Sequence, residues 1–166
     1  MSTPMSAYTL TPITPEDSEV LLRIYASTRT EELSAVPWSD DQKDAFLRQQ
    51  FTAQHAHYHQ HYPGASFDLI RVDGRPCGRL YVARWPREIR LMDIALLPDC
   101  RNTGLGGRVV DALLAEARQA GLPVTIHVER MNRALGFYER RGFRLKEDKG
   151  VYLLLEWTPQ APAEHA

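Results

Sequence analysis

Arg101-Asn102-Thr103-Gly104-Leu105-Gly106-Gly107 decides how this chain is read, because of what stands on either side of it. An apolar run, Leu91-Met92-Asp93-Ile94-Ala95-Leu96-Leu97, precedes it and is closed by Pro98. Leu105, Val109, Leu113 and Ala117 follow at helical spacing. A strand that turns through glycines into a helix aims unpaired backbone N–H groups, and the positive end of the helix dipole, at one point. Such a junction suits a phosphate or pyrophosphate, and Arg101 adds a fixed positive charge beside it. The glycines let a ligand approach the amides, where a Cβ would hold it away. Two nucleotide motifs are excluded. No Gly-Lys-Ser/Thr is present, and Val109 stands where the dinucleotide fingerprint needs its third glycine.

Downstream, residues 123–129 alternate as a strand and Asn132 follows. Then comes Ala134-Leu135-Gly136-Phe137-Tyr138-Glu139-Arg140-Arg141-Gly142-Phe143. Over residues 88–157 the chain resembles the GNAT superfamily of acyl-CoA-dependent N-acetyltransferases. One family signature is Arg/Gln-x-x-Gly-x-Gly/Ala at a helix start; the other is Asn, then Ala, then Tyr-x-x-x-Gly-Phe. Asn132 and Tyr138 are six residues apart, where the family often has seven. The resemblance implies an α/β (α+β) fold with a mixed, mostly antiparallel central sheet and helices on both faces. It also implies acetyl-CoA as cosubstrate, held by Leu96, Leu97, Arg101, Asn102, Thr103, Gly104, Leu105, Gly106, Gly107, Asn132 and Tyr138. The strand near residues 94–97 would bulge or splay and offer amides to the acyl carbonyl and the CoA arm. Tyr138 would act as general acid, since a phenol of ordinary pKa, about 10, can hand its proton to a departing thiolate. Asn132 would tie an amide of the CoA arm or cap the following helix.

The acceptor side is less defined by the residues. Asp93 lies inside an apolar strand, where a carboxylate must be paired, raised in pKa or turned to a polar cleft; it is the candidate base. Glu31, Glu32 and Trp38 lie in the segment that borders the acceptor in the resembling family. His127 faces away from Val128, toward the cleft or as a satisfied sheet residue. His55, His57, His59 and His61 form i,i+4 pairs that could bind metal. No Glu follows the first as in a metalloprotease helix and no Cys is near, so the row is read as an acceptor wall with Tyr58 and Tyr62, and no metal is assigned. The acceptor is a small-molecule or peptide amine. A CoA-binding sensor module without turnover is the other reading, and a homodimer stays open.

Composition sets the outer limits. The chain has 166 residues, 43% hydrophobic and 25% charged, which suits one domain over residues 1–157. A formal net charge of −1 argues against a nucleic-acid partner. Two cysteines, Cys77 and Cys100, do not make a disulfide framework, which points to a reducing cytoplasm. No stretch reads as a signal peptide or membrane span. The Pro/Ala-rich tail 158–166 is expected to lack packed structure.

Local signals place the elements. Residues 8–13 read as a strand, Thr14-Pro15-Glu16-Asp17 as a helix start, and Ser39-Asp40-Asp41-Gln42 as a capping box opening a helix that stops at Pro63-Gly64. Residues 67–72 and 78–85 flank Asp73-Gly74 as a hairpin. Strands at 87–97 and, last, at 151–157 fit the order β-α-α-β-β-β-α-β-α-β-β.

Overall fold

The computed structural model describes residues 7–160; the ends 1–6 and 161–166, including most of the expected tail, lie outside the described residues. Seven strands stand in the order β1-β2-β3-β4-β5-β7-β6, a mixed and mostly antiparallel sheet flanked by helices, as expected. Two compact units share these strands. One comprises residues 7–81 and 93–106, the other 82–92 and 107–160.

In the first unit, β1 (Tyr8–Pro12) pairs antiparallel with β2 (Ser66–Val72), Leu10 opposite Ile70. The Thr14 N–H donates to Asp17 Oδ2 at 2.8 Å, so the expected cap closes a single 3-10 turn, Pro15–Asp17. The helix proper, α1 (Ser18–Ser27), starts only after that turn and buries Leu21, Leu22, Ile24 and Tyr25. Leu21, Ile24 and Leu69 form a core against which Ile13, Val20, Phe51, Ala95 and Leu97 pack. A short helix, α2 (Thr30–Ser34), was not expected; it has no side-chain cap and buries only Leu33. The capping box at Ser39 is present. Gln42 N–H donates to Ser39 Oγ at 3.1 Å, and Ser39 N–H to the Gln42 side chain at 2.9 Å. It opens α3 (Asp40–His61), none of whose 22 residues is fully buried. Asp73 and Gly74 have φ of 53° and 78°, the left-handed pair that a tight two-residue hairpin between β2 and β3 (Arg75–Arg84) demands.

β4 (Ile89–Leu96) alternates in burial only as far as Met92. Beyond it the backbone crowds β3: a Cβ on Gly78 would collide with Ala95 O and come within 3.1 Å of Leu96 Cα. Leu97 N–H donates to Cys77 O at 2.8 Å. One expectation is corrected here. Cys77 and Cys100 are not independent thiols but are joined as a disulfide, with Cα atoms 5.8 Å apart.

In the second unit, α4 (Leu105–Ala120) buries Val109, Val110, Leu113, Leu114 and Ala117 on one face and stops at Gly121, φ 69°. β5 (Val124–Glu129) runs parallel to β4 through Ile89↔Val124 and Arg90↔Thr125, and antiparallel to β7 (Tyr152–Trp157) along its whole length. α5 (Leu135–Arg140) leads through Gly142 to β6 (Arg144–Asp148), which pairs with β7 across a bulge at Leu145/Glu147.

Candidate active site

The glycine loop leaves β4 through a 3-10 turn, Pro98–Cys100. Asn102 and Gly104 take φ of 60° and 83°, which bend the chain back into α4. Arg101 N–H donates to Pro98 O, but among the described residues no backbone acceptor is found for the amides of Asn102, Thr103, Gly104, Leu105 or Gly106. Arg101 lies over this turn: its Nε donates to Leu96 O at 3.0 Å and its Nη2 to Ser27 Oγ at 3.2 Å. Thr103 Oγ1 donates to Cys100 O at 2.9 Å.

Gly106 carries a telling piece of geometry. A Cβ there would meet only Leu96 Cδ1, at an ordinary 3.6 Å. Glycine in a helix costs about 0.5–1 kcal/mol relative to alanine, and nothing inside the described protein requires it at this position. Space is therefore kept on the outer side of the amides, as an anion cradle requires. Gly107 has an internal reason instead, since a Cβ would strike the Arg141 guanidinium, which lies beside Phe137 and pairs with Asp111 at 3.0 Å. Free amides, an open face at Gly106 and a cation at Arg101 fit a pyrophosphate. Leu96 and Leu97, expected to hold the same ligand, are already used in part: Leu96 O accepts from Arg101 and the Leu97 amide is spent on Cys77.

Asp93 and Tyr58 are brought together, around a residue the sequence reading missed. Arg79 on β3 is 3% exposed at its side chain and grips Asp93 with two bonds, Nε to Oδ1 at 3.0 Å and Nη2 to Oδ2 at 2.9 Å. Nη2 also donates to Gln54 Oε1 at 2.9 Å, and Tyr58 O–H donates to Asp93 Oδ2 at 3.0 Å. Burial works to lower the Arg79 pKa, but Asp93, with Tyr81 and Tyr58 beside it, outweighs that and holds it above the ordinary value. Burial, then Asp93, pushes the Tyr58 hydroxyl far above its usual range, so it stays a donor. Aromatic rings surround the pair, Tyr25 at 5.8 Å and Tyr81 at 5.0 Å from the guanidinium carbon. Arg79 Nη1, Tyr81 Oη and His55 Nδ1 are buried and find no hydrogen-bond partner among the described residues. The network ties α3 to β3 and β4 by polar contacts where α3 has no buried apolar stripe.

The remaining acceptor candidates of this unit are spread out. Glu31 and Glu32 stand exposed on the first turn of α2, with Glu32 paired to Arg29 at 3.1 Å. Trp38 is 41% exposed, edge-on to Phe46 at 5.3 Å. The histidines do pair at i,i+4, with ring centroids 4.3 Å apart for His55/His59 and 4.2 Å for His57/His61. His59 stacks on Phe67 and His61 bonds the His57 carbonyl. No group of three or more metal-capable side chains occurs among the described residues. Burial, then His59 and Arg79, lowers the His55 pKa.

In the second unit, Tyr138 is 5% exposed on α5 and packs edge-on to Phe137 at 5.1 Å and Phe143 at 5.4 Å. Its position is fixed from both sides, because its own carbonyl accepts from Arg141 and Phe143 N–H groups. Asn132 Oδ1 accepts from Ala134 N–H at 2.8 Å, an Asx turn that launches the helix while Ala134 occupies the cap position. His127 lies between two cations, Nδ1 3.4 Å from Arg90 Nη1 and Nε2 3.3 Å from Lys149 Nζ. Burial, then Arg90 and Lys149, pulls its pKa below 6.5.

One signal for Arg79 was in the sequence. It is a charge inside the apolar strand 78–85, as Asp93 is inside 91–97, and two opposite charges in neighbouring strands invite pairing.

Three solved structures show how closely the fold is shared. The PaiA N-acetyltransferase from Thermoplasma acidophilum, solved in complex with coenzyme A, matches with TM-score 0.69 at 15% identity, covering 92% of this chain and 99% of that one. An acetyltransferase from Thermus thermophilus matches at 0.68 and 20% identity over 93% and 99%. The ribosomal-protein-S18-alanine N-acetyltransferase from Escherichia coli matches at 0.62 and 17% identity over 96% and 99%. The acetyltransferase (GNAT) family model matches residues 22–143, which takes in the glycine loop, the Arg79–Asp93 pair and Tyr138. This chain belongs to the GNAT acetyltransferase family.

Proposed function

We propose that the protein transfers an acetyl group from acetyl-CoA to a primary amine by direct attack within a ternary complex. The observation that carries this reading is the Gly106 loop, with its unspent amides, open outer face and adjoining Arg101. Acetyl-CoA supplies the activated thioester. The amides of residues 102–106 and Arg101 bind its pyrophosphate. The amine nitrogen forms a bond to the acetyl carbon as the carbon–sulfur bond breaks, and Tyr138 delivers its hydroxyl proton to the departing sulfur. The amine's surplus proton passes to water, and water returns a proton to the Tyr138 phenolate. Asp93 is given a positioning role. Both of its oxygens are occupied by Arg79 and Tyr58, so it fixes α3 to the strands rather than offering an open lone pair to the amine. Glu31, Glu32, Trp38, His55 and His127 remain the acceptor-side candidates, for a small-molecule or peptide amine, and the reaction is placed in the cytoplasm.

A thiol-release assay over a panel of amines tests the reading. At least one amine should release CoA from acetyl-CoA, and Tyr138→Phe should slow that turnover by about 10²–10⁴-fold while acetyl-CoA affinity holds. Full turnover in Tyr138→Phe, with chemistry rate-limiting, would move the acid role elsewhere.

A further inference from the structure

The disulfide sits where the proposed cofactor loop begins. Cys77 lies on β3, 9% exposed, and Cys100 closes the 3-10 turn that hands the chain to Arg101. Their Cα separation of 5.8 Å falls in the range that a disulfide spans without moving the backbone. Most bonds within the loop are short in sequence. Cys100 N–H donates to Leu97 O, Arg101 N–H to Pro98 O, and Thr103 Oγ1 to Cys100 O. Beyond the Leu97 N–H to Cys77 O bond at its entry, two ties of greater reach hold it among the described residues. One is the Arg101 guanidinium on Ser27; the other is the Cys77–Cys100 bond, 23 residues apart in sequence. Arg101 is also the cation proposed to meet the pyrophosphate. When it turns to the ligand it gives up Ser27, and the disulfide then holds Cys100 to β3 alongside the Leu97–Cys77 hydrogen bond.

The geometry points to Cys77 and Cys100 as a thiol-oxidation site that sets the loop's affinity for acetyl-CoA, an inference that rests on residues 101–107 being the cofactor loop. In a reducing compartment a disulfide of an ordinary protein is mostly transient and redox-sensing. Half-buried Cys100 is the thiol that a small disulfide reaches first, and Cys77 beneath it resolves the mixed disulfide. The balance is simple. Two protein thiols and one low-molecular-weight disulfide become one protein disulfide and two small thiols. Two electrons pass to the small disulfide, and the two thiol protons go to the thiolates released. Oxidised, the loop is held in its binding shape; reduced, it samples others. If the reduced loop holds the binding shape about one-tenth of the time, apparent affinity falls about tenfold.

Calorimetry with acetyl-CoA, whose sulfur is blocked and does not reduce the protein, tests this on the whole chain. One sample is oxidised with glutathione disulfide and desalted, the other reduced with a phosphine, and peptide mass spectrometry reports the Cys77–Cys100 crosslink. The oxidised protein should bind about tenfold more tightly. Cys100→Ser and Cys77→Ala should each bind like the reduced protein under both treatments. Equal affinity in the two states, or no crosslink after oxidation, would overturn the switch while leaving the cofactor loop standing. No acetyl-CoA binding in either state would overturn the loop assignment, and the switch with it.

Discussion

Asp93→Asn removes one charge from a nearly buried pair and keeps its shape. The Arg79 side chain is 3% exposed and that of Asp93 16%, so water replaces little of what is lost. Breaking a buried ion pair from one side typically costs about 3–5 kcal/mol, because the remaining charge is stranded. Arg79 keeps Gln54, and Asp93 is partly wet, which places the expected loss at the lower end, about 3 kcal/mol. For a chain of this size that corresponds to a fall in Tm of about 6–12 °C. Arg79→Met combined with Asp93→Leu leaves no stranded charge and should recover most of the loss, since apolar replacement of a whole buried pair is often neutral. Urea unfolding of the wild type, Asp93→Leu, Arg79→Met and the double variant gives the coupling free energy directly, with Asp93→Asn measured beside them. A single variant within about 1 kcal/mol of the wild type, or a double variant as unstable as the sum of the singles, would refute the argument that this pair fastens α3 to the sheet.

Gly106→Ala should stabilise the protein, by about 0.5 kcal/mol from helix propensity, because its Cβ has room. The same variant should weaken acetyl-CoA binding in calorimetry, and a gain in stability with unchanged affinity would count against the cradle. For His127 the folded pKa lies below its reference value of 6.5, so the folded state resists the proton that the unfolded chain accepts. Stability is therefore unpenalised above pH 6.5 and falls as the pH drops below it. Urea midpoints measured from pH 7.5 down to pH 5 should fall less steeply in His127→Gln, and parallel slopes would contradict the burial argument.

What the sequence disclosed was local chemistry. The Ser39–Gln42 box, the Asp73-Gly74 turn and the glycine loop are each specified by a few neighbouring residues, and each was found where expected. The Arg79–Asp93 pair depends on which residues of β3 and β4 come side by side, a property of strand pairing rather than of either strand. The Cys77–Cys100 bond was hidden for the same reason, since it arises where β4 bends toward β3 and Leu97 meets Cys77. α2 went unseen because five residues without a side-chain cap and with one buried leucine leave no periodic trace.

Titration of the wild type and of Gly106→Glu with acetyl-CoA tests the central claim most directly. The account predicts one site per chain in the wild type, and loss of binding in a variant that remains folded, because a carboxylate would occupy the pyrophosphate's space. Equal affinity in the two proteins would contradict it.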